Sequence, residues 1–364
     1  MRSAAALAAL ILAGACDRKP DGPLPDPDIG APSAATVAEV AAADSYGAPG
    51  IAVADVAFWS HPSVAFEGLL LAATTSAVTA YSIETGEAAF EIPGGAADVA
   101  VFYAGEGAGA QGYLLAAGDG AYRLYTIHQD GAGFNPVAMA NAGSPAGAFC
   151  AGGGAAPALY EAAGGKLSAR ALTIVANGAE LGDARALADI PDAIGCDVDP
   201  LTDEIVAVSR DGAIRRVDPA TGAVFGLALP QDLTPSASAL AVARDESGAA
   251  QGQVALLDRK TSVVSLFDAG DGRALGAVRI KATFDLDAIN SASRIVAGSA
   301  NYGGVYRGGA LAVVAAGEGA PVRLVPWNGV MGALSLPVAA VIDPRAPEGP
   351  AEEEGVISIE LIEP

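Results

Sequence analysis

A unit of about 45 residues recurs along most of this 364-residue chain, and it constrains the fold more than any other feature. Its clearest copy is residues 192–221, DAIGCDVDPLTDEIVAVSRDGAIRRVDPAT. Within that copy, 194–198 reads as a short inner strand and 199–203, with Pro200, as a turn. Residues 204–209 alternate apolar and polar side chains as a half-buried strand does. Asp211-Gly212 is a hairpin signal, because Gly takes positive φ without a steric cost. Residues 214–217 return and 218–222 turn again. Outer hairpins ending in a turn occur at 77–86, 120–131, 166–178, 212–222, 262–272 and 309–319. The first five follow a clear strand, at 69–74, 113–117, 158–162, 204–209 and 253–257. Shorter segments precede those, at 55–59, 99–103, 147–151, 195–199 and 240–244. No helical period of useful length intervenes. Three or four strands per unit, repeated six times, predict an all-β chain folded as a six-bladed β-propeller over 46–336. A β-sandwich would not repeat its own pattern in this way. Closing the ring requires a strand from one terminus on the blade at the other end. Residues 35–43 and 356–362 are the candidates, and the sequence leaves both open.

Composition bears on partners and compartment. The net charge of −22 argues against nucleic acid and anionic membrane surfaces, and suits a solubilising surface. Residues 1–16 form a lipoprotein-type signal segment. Arg2 gives the positive start, 7–12 the apolar centre, and Ala13-Gly14-Ala15 the small residues before Cys16. Lipidation is therefore expected at Cys16. Residues 17–45 are expected to be a polar, Pro-rich tether, and 337–364 a C-terminal segment. The chain is expected to be exported and to work as a monomer facing the periplasm or cell surface. Its contact with a membrane would be through the lipid anchor alone. Cys150 and Cys196 lie at similar places in neighbouring units. A disulfide and two buried small hydrophobes are both open readings. His61 and His128 are the only histidines, which leaves a Cys/His zinc site or a Ser-His-Asp triad little to work with.

Several segments resemble, in order, those of the β-propeller phytases, six-bladed calcium-dependent phosphatases of inositol hexakisphosphate. Asp55-Val-Ala-Phe-Trp59-Ser-His61-Pro62 is similar to the family's Asp-Pro-Ala-Ile-Trp-Val-His-Pro segment. Residues 99–103 are similar to its Asn-Asn-Val-Asp-Ile-Arg-Tyr strand, and 195–217 to its Glu-Gly-Met-Ala-Ala-Asp-Asp blade. Thr234-Pro-Ser-Ala-Ser-Ala-Leu240 sits on Thr-Pro-Asp-Ile-Glu-Gly-Leu. Residues 311–318 sit on Leu-Phe-Val-Ala-Gln-Asp-Gly-Glu, and Arg323-Leu-Val-Pro-Trp327 on Lys-Leu-Val-Pro-Trp. The resemblance implies calcium held by carboxylates at a channel mouth, where the metal neutralises a substrate phosphate and activates water.

The chain departs from that pattern where the chemistry lies. Ile194, Ser209, Arg210, Ser236, Ser238 and Ala316 stand where the family has acids. Ala100 and Phe102 replace an Asp and an Arg, Ala146 stands where the family has a tyrosine, and a Lys-Lys pair is replaced around 74–76. Asp55 remains, and Asp285 and Asp287 fall near the family's Ser-Asp-Thr-Asp-Gly-Ile-Asp segment. These three are the candidate calcium ligands, enough for one weak ion and not for several, since calcium takes six to eight oxygens. No catalytic residue is assigned. The expected function is a non-catalytic, phytase-like binding or scaffolding module for a protein or small-molecule ligand. The alternative is a divergent calcium-dependent phosphatase of the 3-phytase type, acting on inositol phosphates or smaller phosphate esters. Other motifs read as structure. The run 105–112, GEGAGAQG, leads to a strand and not to the helix a dinucleotide needs. Asp197, Asp199, Asp203 and Glu204 crowd a blade turn that lacks a calcium loop's Gly. Arg210, Arg215 and Arg216 form a charged rim, and Trp59 and Trp327 are expected to be core.

Overall fold

The computed structural model describes residues 37–47, 50–228, 233–258, 260–317 and 321–347. Six twisted, mainly antiparallel sheets stand around a central axis as the blades of a propeller. Blade one runs outward through Val53–Trp59, Leu69–Thr74, Ala77–Ser82 and Ala88–Pro93. Blade two begins at Asp98–Ala104, blade three at Ala148–Gly152 and blade four at Ala193–Val198. Blade five begins at Pro235–Arg244 and blade six at Ala292–Gly298. Each of these inner strands packs beside the next, and the sixth returns to the first. The inner strands run the same way along the axis, so every one starts on one face, here the entry face. Each ends on the opposite, exit face.

The burial pattern explains why these segments are strands. The second strand of a blade is covered on both sides by neighbouring blades. Leu69–Thr74 and Ile205–Ser209 are buried at every position, so 204–209 is not the half-buried strand expected of it: neighbouring blades cover both of its faces. Third strands mix buried and half-buried positions, as in Ala213–Val217, because they lie nearer the rim. Six apolar clusters fill the six spaces between adjacent blades. Turns repeat one chemistry. Asp218 Oδ1 accepts from the Ala220 N–H at 2.7 Å, and Gly222 closes that turn at φ 72°. Asp268 and Gly272 do the same in blade five. Trp59 and Trp327 are both core side chains.

The ring is closed by the N-terminal side of the chain. Asp44–Tyr46 forms the outer strand of blade six, antiparallel to Val322–Pro326. Of the stretch 35–43, Val37–Ala41 is a strand, but it adds in parallel to the edge of blade five at Ala274–Lys281. Blade sheets thus extend to the N-terminal side of residue 46. Residues 356–362, the other candidate, lie outside the described residues, as does Cys16. Blade three also differs from expectation. Residues 166–178 were expected as a hairpin, yet Lys166–Val175 is one ten-residue strand. Its outer partner comes in two pieces, Gly178–Leu181 and Arg185–Asp189. A short helix, Trp327–Ala333, follows blade six and packs Val330 and Met331 between blades five and six. Among the described residues no helix is long and apolar enough to cross a membrane.

Candidate functional site

The inner strands surround a channel enclosing a cavity of about 290 Å³. Its lining is set by which residues of six inner strands face the axis. Small side chains such as Ala100, Ala151 and Ala297 leave the space open. Among the described residues its lining includes the charged-type residues Asp55, Asp98, Asp197, Asp203, Arg294 and, at the exit end, Arg345; Asp55 from blade one, Asp98 from blade two, Asp197 from blade four and Arg294 from blade six act on one another.

Arg294 organises this group. Its Nε lies 3.2 Å from Asp55 Oδ1, while Asp55 Oδ2 accepts the Val99 N–H at 3.0 Å. Asp55 is buried, so both oxygens being engaged is what its charge requires. Asp98 shares a hydrogen bond with Asp55. Burial first, then the Asp55 charge and that hydrogen bond, hold the Asp98 carboxyl well above the usual carboxylate range. Asp197 is pushed up to about 8, mainly by burial and next by the Asp55 charge, against a smaller pull from the Leu240 N–H and Arg294. Two of the three carboxyls around Arg294 are thus pushed toward their neutral form, and Asp55 is the one that pairs with the guanidinium. Close packing enforces the geometry. A Cβ on Gly195 would meet Ser238 Oγ at 2.6 Å, so blades four and five approach through that glycine.

The exit end is built differently. Tyr103 and Ser60 end the inner strands of blades two and one. The Ser60 N–H donates to Tyr103 Oη at 2.9 Å, and Ser60 Oγ lies 3.1 Å from the same oxygen. Arg345, from the segment beyond the helix, inserts here. Its guanidinium lies 4.4 Å from the Tyr103 ring centre and 5.7 Å from that of Trp59. It donates to Ser60 Oγ at 3.0 Å and to the Ser60 carbonyl. Asp343 Oδ1 is 3.6 Å away. Ile342, Pro344, Arg345 and Pro347 complete the cavity wall at this end.

The calcium candidates are not gathered. Asp55 is inside the channel, whereas Asp285 and Asp287 are exposed on the loop between blades five and six. Asp287 acts electrostatically on Arg323, in blade six. Among the described residues no group of three or more His, Cys, Asp or Glu side chains is placed to hold a metal ion. His61 pins its own loop. Its Nδ1 accepts from the Ser63 and Val64 N–H groups and its Nε2 is 3.2 Å from Glu67. Burial lowers its pKa, which keeps it neutral. Arg215 is engaged by Ser209 and Asp211, and Arg216 by Glu204. Asp199 caps its own turn through the Leu201 N–H at 2.8 Å. Cys150 and Cys196 are joined in a disulfide between the inner strands of blades three and four.

Asp98, Arg294 and Arg345 were not singled out in the sequence. A faint signal existed for the acids: Asp-Val occurs at 55–56, 98–99 and 197–198, each time on an inner strand. Nothing comparable marks the arginines, whose partners lie on other blades.

No protein-family model matches this sequence, and no curated protein does. Solved structures of similar fold include BBS1N in complex with ARL6DN, at 12% identity and TM-score 0.46, covering 79% of this chain and 97% of that one. RRP9 WD40 repeats align at 10% identity and TM-score 0.41, covering 76% and 78%. A chain of a nidogen/laminin complex aligns at 13% and 0.42, covering 63% and 80%. The protein is a six-bladed β-propeller, and these likenesses concern the fold alone.

Proposed function

We propose that this propeller is a non-catalytic, phytase-like binding or scaffolding module of the cell envelope. One observation carries the reading. Asp55, the acid that the resemblance makes a calcium ligand, is neutralised by Arg294, a fixed cation on the inner strand of blade six. A guanidinium in that place balances the carboxylate but has no open coordination site, so it cannot activate water as a metal does. Phosphoryl transfer needs several fixed positive charges around the equatorial oxygens. In this channel Arg294 is already paired with Asp55, and Arg345 is engaged by Ser60 and Asp343. The disulfide between Cys150 and Cys196 supports an oxidising compartment, in line with export and lipidation at Cys16.

The test is phosphate release from inositol hexakisphosphate by the purified protein across a calcium titration. No calcium-dependent release is expected. Substantial release that Asp55→Ala abolishes would establish the phosphatase instead. For location, Cys16→Ser is expected to move the protein out of the membrane fraction, and continued membrane association would overturn the anchor.

A further inference from the structure

The propeller ring is complete without the segment that follows the helix. Asp44–Tyr46 supplies the sixth blade's outer strand, so residues 337–347 belong to no blade. They lie instead against the exit end of the channel, held as a bound peptide is held. Arg244 and Ala340 exchange two backbone hydrogen bonds of 2.8 Å in one isolated bridge. The Ile342 N–H donates to the Ser299 carbonyl at 3.2 Å, and the Arg244 guanidinium donates to the Pro347 carbonyl. Of residues 337–347 only Ile342 and Arg345 are buried, at 3% and 5% exposure. These are two anchors at i and i+3.

The pocket that receives Arg345 is made by other parts of the chain. The bonds between Ser60 and Tyr103 hold its walls without help from the arginine. Its chemistry is specific. Aromatic faces take the guanidinium plane while a hydroxyl and a carbonyl take its fork of N–H donors, a combination that suits arginine and not lysine.

We propose that the exit mouth is a peptide-recognition site whose resident ligand is the chain's own segment 339–347. A partner displaces that ligand with an extended segment carrying an arginine three residues after an aliphatic side chain. The proposal rests on the binding-module reading and names the partner's chemistry. Displacement would also remove Ile342, Pro344, Arg345 and Pro347 from the channel wall, where the partner's segment would take their place.

The experiment uses the full chain with a protease site inserted between the exposed Pro337 and Val338. After cleavage of the folded protein, a fluorescent peptide of residues 339–347 is added, and binding is followed by anisotropy. Saturable binding is expected, with the Arg345→Ala and Arg345→Lys peptides weaker by about 10- to 100-fold. Equal binding of all three peptides would overturn the arginine anchor. Failure of the labelled peptide to enter, or melting of the propeller on cleavage, would show the segment to be a fixed part of the fold and would also overturn the proposal. Phosphate release is measured on the same cleaved protein. Calcium-dependent release there would overturn the module reading, while the peptide result still decides the recognition site by itself.

Discussion

Two arginines enter one channel from opposite ends, and their charges are met in opposite ways. Arg294 stands on an inner strand and faces carboxyls: Asp55 directly, with Asp98 and Asp197 near it. Arg345 arrives on a segment outside the blades and faces mostly neutral groups: two rings, a hydroxyl and a carbonyl, with Asp343 of its own segment alongside. The difference lies in what each would leave behind. Without Arg294, a buried carboxylate loses its counter-charge. Without Arg345, the pocket left behind is a tyrosine kept neutral by burial, a serine and an indole. Loss of the first cation strands a buried charge, whereas loss of the second, which takes Asp343 with its own segment, strands none.

The sharpest way to break this contrast is at Arg294. Arg294→Met should destabilise the protein by about 3–5 kcal/mol, measured as a lower urea midpoint, because it removes one member of a buried pair. Adding Asp55→Asn should recover most of the loss. A single variant as stable as wild type would mean that Arg294 balances nothing.

The wall between the two ends comes next. The disulfide closes a loop with sequence separation 46, and Cys196→Ser should cost about 3–4 kcal/mol in non-reducing unfolding. Reductant should lower wild-type stability to that of the variant.

The third prediction separates the ends by pH. The folded protein holds the Asp197 proton up to about pH 8, whereas the unfolded chain releases it near 3.8. The folded state thus binds more protons across that window, and this group's contribution to stability falls as pH rises through it. Asp197→Asn should match wild type below pH 4 and exceed it by about 2–3 kcal/mol at pH 8, after allowance for solvent in the channel. Parallel pH profiles for the two proteins would show Asp197 to be ionised in the fold.

The smallest effect is expected at the exit. Arg345→Ala should lower stability by at most about 2 kcal/mol and leave one cooperative melting transition. It should speed amide exchange in 339–347 while leaving the inner strands protected. Loss of protection in the blades would join this end to the core and erase the contrast.

What the sequence determined by itself was most of what is local in a blade, with the long third strand of blade three an exception. The unit at 192–221 showed its strands, its Asp-Gly hairpin and its turns, because alternation and turn chemistry act between near neighbours. Six copies of that pattern were enough for the propeller, and the two tryptophans could be read as core from the strand-end motifs that hold them. Only the tertiary structure decided what depended on residues far apart in the chain. It placed Asp44–Tyr46 on blade six and Val37–Ala41 on blade five, where pairing is made with strands hundreds of residues away. It joined Cys150 to Cys196, which spacing had left open. It turned Asp55 toward Arg294 and away from Asp285 and Asp287, and it carried Arg345 back to Ser60. Repetition specifies a blade, but it is the closing of the ring that brings six inner strands to one axis. The charges that meet there come from strands whose sequences hold no record of one another.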